Sequence, residues 1–405
     1  MNSLIKTIYY RFPALENRNF RYFWSTQCIS LVGTWMQRTA QQWLVYTLTD
    51  SPFLLGLLGI FQFGPILLFS LFAGVYIDKF PKKKIILLTN TILMLQSLAL
   101  AWLVWTGKVE YWHIITLATV MGFANTFDMP TRQAFVSELV NKEELPNAVG
   151  LNSMIFNLAR IVGPALSGIV ISYLGIAMTF FVNTLSFIPV LYVLSKIDAP
   201  AIIRAHRDSK VLTEVRNGLM YIKRTPALLR SLSIMVIAST LALNFEVILP
   251  VFTKEVLARE AGTYSVLLSC MGIGSLFGAA TTALRRSEPN SSLVYKCACI
   301  LATIITIATF VKTYQLMMLT MVIFGYFAVL LTTSTNATLQ LNSSDEFRGR
   351  VMSVYTLTLA GTTPIGNFIA GTITEYLGPN LGFGICGIIL IAALFRLRPS
   401  TNTTS

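Results

Sequence analysis

Uninterrupted apolar runs of about twenty residues, recurring from one end of the chain to the other, constrain this sequence more than any other feature. They cover residues 22–48, 53–77, 85–106, 111–131, 148–173 and 175–195. After a polar stretch from Lys196 to Pro226 they resume at 229–253, 262–284, 293–311, 315–338, 350–376 and 380–397. A membrane-spanning helix needs about 20 residues, so twelve such runs consume roughly 240 positions. In a chain of 405 residues that leaves little beyond loops and no separate catalytic domain. Composition agrees: 54% of residues are hydrophobic and 12% are charged, against about 25% charged in soluble proteins. The runs are continuous rather than alternating, and lipid tolerates only helices or closed barrels, so helices are expected.

The distribution of Lys and Arg sets the expected orientation. The chain has 31 of them against 18 acidic residues, a net charge of +13. With the amino terminus inside, 25 fall on cytoplasmic segments, two lie within spans, and only Lys108, Lys254, Arg259 and Lys312 fall outside. This positive-inside asymmetry accounts for the basic balance without nucleic acid and predicts both termini in the cytoplasm of an inner-membrane protein. The opening MNSLIKTIYYRFPALENRNFR has no apolar core ending in small residues, so no cleaved signal peptide is expected. Trp102, Trp105, Tyr111 and Trp112 fit an outer interfacial belt. In the polar linker, Val211, Leu212, Val215, Leu219 and Ile222 recur at near-helical spacing beside Arg216, Lys223 and Arg224. That pattern fits an interfacial helix on anionic lipid or a solvated basic linker.

The two halves repeat. RIVGPALSGIVISYLG (160–175) aligns with TPIGNFIAGTITEYLG (363–378) at an offset of 203, superposing Gly163 on Gly366, Gly168 on Gly371 and Tyr173-Leu174-Gly175 on Tyr376-Leu377-Gly378. Gly74 matches Gly278 at 204, and the first and seventh spans match at 208. The expected fold is an all-α membrane protein of twelve transmembrane helices in two pseudo-symmetric six-helix bundles. Its expected parts are an N-terminal bundle at 1–195, a cytoplasmic linker at 196–226 and a C-terminal bundle at 227–405. Parallel six-helix repeats of this kind place a central site that opens to each side in turn.

After the second span the chain reads Gly74-Val75-Tyr76-Ile77-Asp78-Lys79-Phe80-Pro81-Lys82-Lys83-Lys84. This resembles the G-x-x-x-D-[RK]-x-G-[RK]-[RK] motif of the major facilitator superfamily, with Pro81 at the usual glycine. GTWMQR (33–38), FDMPTRQAFVSELV (127–140), LPNAVGLNSMIFNLARIVGPALSG (145–168) and FRGRVMS (347–353) resemble the enterobactin-exporter-like, transmembrane secretion effector branch. The resemblance covers nearly the whole chain and is almost silent on substrate. It implies a conformational latch of Gly74, Asp78, Lys79, Lys82 and Lys83 against the start of the eleventh span near Arg350. There, helix dipole and guanidinium would hold the Asp78 carboxylate. Ala159, Gly163-Pro164 and Ser167-Gly168 partly match a fifth-helix pattern of superfamily exporters, which favours export. The superfamily's mid-helix arginine before glycine is absent from the fourth span, VMGFANTFDMP.

Three ionisable residues lie deep within spans: Arg38, Arg160 and Glu246. Each costs about 2.5 to 3.5 kcal/mol on insertion scales, so each is expected to face protein or water. The offset of 208 superposes Arg38 on Glu246. The family resemblance implies that their helices line a central cavity, so the two form either a substrate or gating pair with Glu246 able to carry a coupling proton, or a fixed ion pair. Gln37, Gln41 and Gln42 add polar surface to the first span, and Arg160 can meet an anionic substrate or polar neighbours. Asp128 can pair with Arg132 one helical turn on, at the inner end of the fourth span.

The sequence has no phosphate-binding G-x-x-x-x-G-K-[ST], no H-E-x-x-H and only two histidines, so an enzyme, a resident cofactor and a metal site are not expected. Cys28, Cys270, Cys297, Cys299 and Cys386 lie in or beside apolar runs and read as inert thiols. What remains is a monomeric secondary transporter, an exporter of a drug- or siderophore-like organic molecule exchanged for protons. An importer, a uniporter or a non-transporting membrane sensor are the alternatives.

Overall fold

A computed structural model describes residues 12–197, 211–285 and 289–398, and it is helical throughout, with no strand among them. After a single 3-10 turn, Pro13–Glu16, come α1 (Arg18–Thr49), α2 (Pro52–Lys79), α3 (Lys82–Trp105), α4 (Tyr111–Leu139), α5 (Leu145–Leu174) and α6 (Ile176–Lys196). They are followed by α7 (Val211–Arg224), α8 (Pro226–Leu241), α9 (Phe245–Glu255), α10 (Ala261–Leu284), α11 (Ser291–Ala308), α12 (Tyr314–Leu341) and α13 (Asp345–Arg396). Among the described residues, nine stretches are long and apolar enough to cross a membrane, α8 and α9 counting together and α13 as one. α1 and α4 fall outside that set. The first carries Arg18, Arg21, Arg38 and four glutamines, and the second Asp128, Arg132 and Glu138.

One departure from the sequence expectation concerns continuity. The run 229–253 is interrupted, because Ala242–Asn244 leave the helical path between α8 and α9. Asn244 turns its side-chain amide back onto the Thr240 and Ser239 carbonyls freed there, which is how a break survives where no water can serve the backbone. The last two runs are two helices, as expected, meeting within α13 at a kink where Gly378 leaves the helical path at φ 78°, ψ 165°. Gly175, between α5 and α6, has φ 85°, ψ 165°. A side chain is strongly disfavoured in that region, so the Tyr-Leu-Gly that repeats in sequence also repeats as backbone geometry.

The chain forms two compact units. The first comprises Met1–Leu44 and Leu68–Arg207. Within it α3 packs against α4 and α6, and one end is filled by Phe20, Phe23, Phe135, Leu151 and Leu194, with Phe23 and Phe135 edge to face at 5.3 Å. The second comprises Val45–Leu67 and Asp208–Ser405. It thus includes the last turn of α1, the first half of α2, and α7 to α13.

Within the second unit α2 runs antiparallel to the first part of α13. A Cβ on Gly371 would lie 2.6 Å from the Pro52 carbonyl, and one on Gly56 would lie 2.5 Å from that of Asn367. The backbones touch, as small residues permit between helices in lipid. Phe53 and Phe368 close the seam at 5.7 Å.

Candidate functional site

In the first unit, α5 docks on α1 through its small residues. A Cβ on Gly163 would sit 2.4 Å from Trp35 Cβ and 3.1 Å from the Val32 carbonyl, and the Ser167 hydroxyl donates to the Met36 carbonyl at 3.1 Å. Pro164 and Gly168 are buried beside them. The second unit repeats this contact. A Cβ on Gly366 would sit 2.4 Å from the Thr240 carbonyl and 2.1 Å from Asn244 Nδ2. Thr240 and Asn244 stand 208 positions after Val32 and Met36, so the offset that superposes Arg38 on Glu246 is the one the packing uses.

Arg38 is partly exposed on α1, its guanidinium 5.2 Å from the Trp35 ring, which in turn meets Phe156 of α5 at 5.8 Å. Gln37, Gln41 and Gln42 are buried. Gln37 belongs to a polar network in the unit's core: Asn183 Nδ2 donates to Gln37 Oε1 at 2.6 Å and reaches the Ser97 hydroxyl at 3.3 Å. Arg160 is partly exposed one turn before Gly163. Glu246 is partly exposed in the first turn of α9, directly after the break, where unsatisfied backbone N–H groups favour a carboxylate. A small recess lined by Leu241, Asn244, Phe245 and Phe383 lies at the same break.

The polar cluster at the end of α4 is the most completely bonded part of the first unit. Asp128, 4% exposed, accepts from the Thr89 hydroxyl at 2.6 Å and Asn90 Nδ2 at 3.1 Å, and it pairs with Arg132 Nε. Arg132 also donates to Asn90 Oδ1 at 2.9 Å and to Gln27 of α1. A guanidinium carries five donors, and Asn90 and Gln27 accept from Arg132 where a single carboxylate cannot, while Thr89 donates to Asp128. The sequence reading missed them, although Asn90 is a polar break in an apolar run. Close by in the chain, Lys82 Nζ pairs with Glu138 at 2.8 Å, with both side chains almost fully buried. Lys83 donates to the Ile197 carbonyl at 2.7 Å, closing the end of α6.

Of the remaining latch residues, Lys79 lies 5.9 Å from the Tyr76 ring. Gly74 and Asp78 are on the last turns of α2, but their side chains lie outside the described residues. Arg350 lies 4.8 Å from the Phe347 ring, with Glu346 at 3.8 Å. Here α7 packs on the start of α13. A Cβ on Gly218 would lie 2.9 Å from the Arg350 carbonyl, Tyr221 stacks on Phe347 at 4.5 Å, and Ile222 is buried. The Tyr221 hydroxyl accepts from the Ser344 backbone N–H at 3.1 Å, and this hydrogen bonding holds the phenol below its ordinary range. Arg216, Leu219, Met220, Lys223 and Arg224 are exposed on the other side of α7.

A second polar cluster, also missed by the sequence reading, lies in the second unit. Tyr46 donates to Glu255 at 2.6 Å, and Lys254 pairs with Asp50. Glu375 accepts from the Ser51 hydroxyl at 2.7 Å and from the Phe53 backbone N–H at 2.9 Å. Among the described residues no group of three or more His, Cys, Asp and Glu is arranged to hold a metal.

The sequence profile of the transmembrane secretion effectors matches residues 11–401. The staphyloferrin A transporter of Staphylococcus aureus is 24% identical over 92% of this chain and 93% of its own. The multidrug efflux pump Tap of Mycolicibacterium fortuitum is 25% identical over 87% and 88%. Macrolide efflux protein A of Streptococcus pyogenes is 19% identical over 92% and 93%. The crystal structure of the nucleoside transporter NupG superposes with a TM-score of 0.73 at 15% identity, covering 94% of this chain and 98% of that one. A bacterial homologue of the human lysosomal transporter Spinster gives 0.69 at 13%, covering 94% and 92%. The apolar helices, the duplicated packing and this match over nearly the full length agree: the chain belongs to the transmembrane secretion effector family of the major facilitator superfamily and is a multi-pass cell-membrane transporter, not an enzyme.

Proposed function

We propose that this transporter is a proton-coupled exporter of a drug- or siderophore-like organic molecule and works by alternating access. The observation that carries the reading is the duplicated contact of Gly163 on Val32 and Gly366 on Thr240, which supports treating Arg38 and Glu246, related by the same offset of 208, as equivalent positions. Ions of opposite sign at symmetric positions in spans are costly unless they meet water, substrate or each other. In this reading the twelve spans form two moving halves, 1–195 and 227–405, in a monomer with both termini in the cytoplasm.

Glu246 is the coupling carboxylate. Arg160, one turn before the Gly163-Pro164 contact, and Gln37, Gln41 and Gln42 shape the site on the first-half side. Asp78, Lys79 and Arg350 form the inner latch that the family motif implies, while Lys82 and Lys83 brace it from α3. The basic face of α7 rides on anionic headgroups. Relatives named for macrolide efflux, multidrug efflux and a siderophore support an organic cargo, and the fifth-helix small-residue pattern supports export.

Energised inside-out vesicles given candidate drugs and siderophores in the medium test this. Substrate accumulation that collapses with an uncoupler is expected. Accumulation unaffected by the uncoupler would identify a uniporter, and none across the panel would leave a non-transporting protein.

A further inference from the structure

The α1–α2 turn and the residues that hold it form a unit of their own. Ser51 is the N-cap of α2: its carbonyl accepts from the Leu55 N–H at 3.1 Å and its hydroxyl accepts from the Leu54 N–H at 3.2 Å. The Phe53 N–H, also unsatisfied within the helix, is taken by Glu375 from a helix 322 residues away in sequence. Ser51 is thus an ordinary side-chain N-cap, and a second first-turn N–H is capped by a carboxylate lent by another helix. It works because Gly371, one turn before Glu375, touches the Pro52 carbonyl, so the carboxylate arrives at the helix end already aimed.

Asp50 has the left-handed φ of 47° that ends α1 tightly, and Lys254 and Glu255 of α9 hold Asp50 and Tyr46 on either side. Thus the start of α2 is tied to two elements of the second half by charge-assisted hydrogen bonds. These depend on position and would cost little to remake.

We propose that Glu375 is a gating residue: its capping of α2 closes the end of the transporter that carries Lys254 and Arg259, and transport requires this cap to be broken and remade in each cycle. The proposal rests on the alternating-access reading. The physics is that implied for Asp78 and the start of α13, with the two helices exchanging roles. In the family motif the carboxylate belongs to α2 and the N-terminus to α13, and here a carboxylate on α13 meets the α2 N-terminus. One antiparallel helix pair would then carry opposed latches at its two ends, each a carboxylate against a helix dipole.

Spin labels at the exposed positions Leu48 and Leu381, both within the second unit, read the separation directly in proteoliposomes with and without an imposed proton gradient. The wild type is expected to show a short and a long distance. Glu375→Gln, which removes the charge at nearly constant shape, is expected to raise the long-to-short ratio about fivefold, as loss of a typical helix cap would. Ser51→Ala is expected to shift it in the same direction, and serves where Glu375→Gln fails to fold. Two distances in an unchanged ratio in both variants would overturn the gate and leave alternating access standing. A single short distance in every protein and condition would overturn both.

Discussion

Asp128 and Glu246 are both carboxylates in apolar helices, yet their surroundings assign them opposite work. Asp128 has three side-chain partners and almost no exposure, so its charge is fully compensated. Asp128→Asn would leave the part-buried Arg132 without its counter-charge, and unfolding in detergent should show a loss of about 2 kcal/mol. Glu246 sits partly exposed at a helix start. Glu246→Gln should leave thermal stability nearly unchanged and remove the pH dependence of transport; transport that keeps its pH profile would take the proton role away from it. The sequence distinguishes the two only by depth. The i, i+4 spacing of Asp128 and Arg132 is legible, whereas Thr89, Asn90 and Gln27 come from helices whose approach no linear pattern records. Glu375 was invisible for a further reason: one of its two partners is the Phe53 backbone N–H, a group every residue but proline has, and the other is a serine more than 300 positions away.

At the scale of elements, the sequence reading located the apolar runs to within a few residues but treated span and helix as the same thing. Helices project past the apolar layer. α4 continues eight residues beyond the expected 131 to place Glu138 against Lys82, because a chain leaving the bilayer gains from staying hydrogen-bonded to itself. The break between α8 and α9 was unreadable because the capping Asn244 resembles any polar residue in an apolar run. Repetition, by contrast, was legible and physical. Gly163→Ala and Gly366→Ala should each destabilise by about 1 to 3 kcal/mol through forced separation of α5 from α1 and α13 from α8, measured as denaturation midpoints. A large loss at one site and none at the other would break the equivalence. α7 gives a different test. Neutralising Arg216, Lys223 and Arg224 together should weaken the dependence of transport rate on the anionic-lipid fraction of liposomes while leaving the rate in neutral lipid unchanged; equal losses in both lipids would make α7 merely a strut.

On the scale of the whole molecule, the two compact units do not coincide with the two sequence repeats. α1 passes from one unit to the other at Leu44–Val45, and α2 passes back at Leu67–Leu68. Duplication explains the helices that match across the halves, whereas residues 45–67 pack within the second unit. A protein severed in the linker after Arg207 would therefore not yield two self-sufficient pieces. The downstream fragment would lack the strip of α2 on which Gly371, Asn367 and Glu375 rest, and it would need its sister fragment synthesised alongside it to complete its own interior.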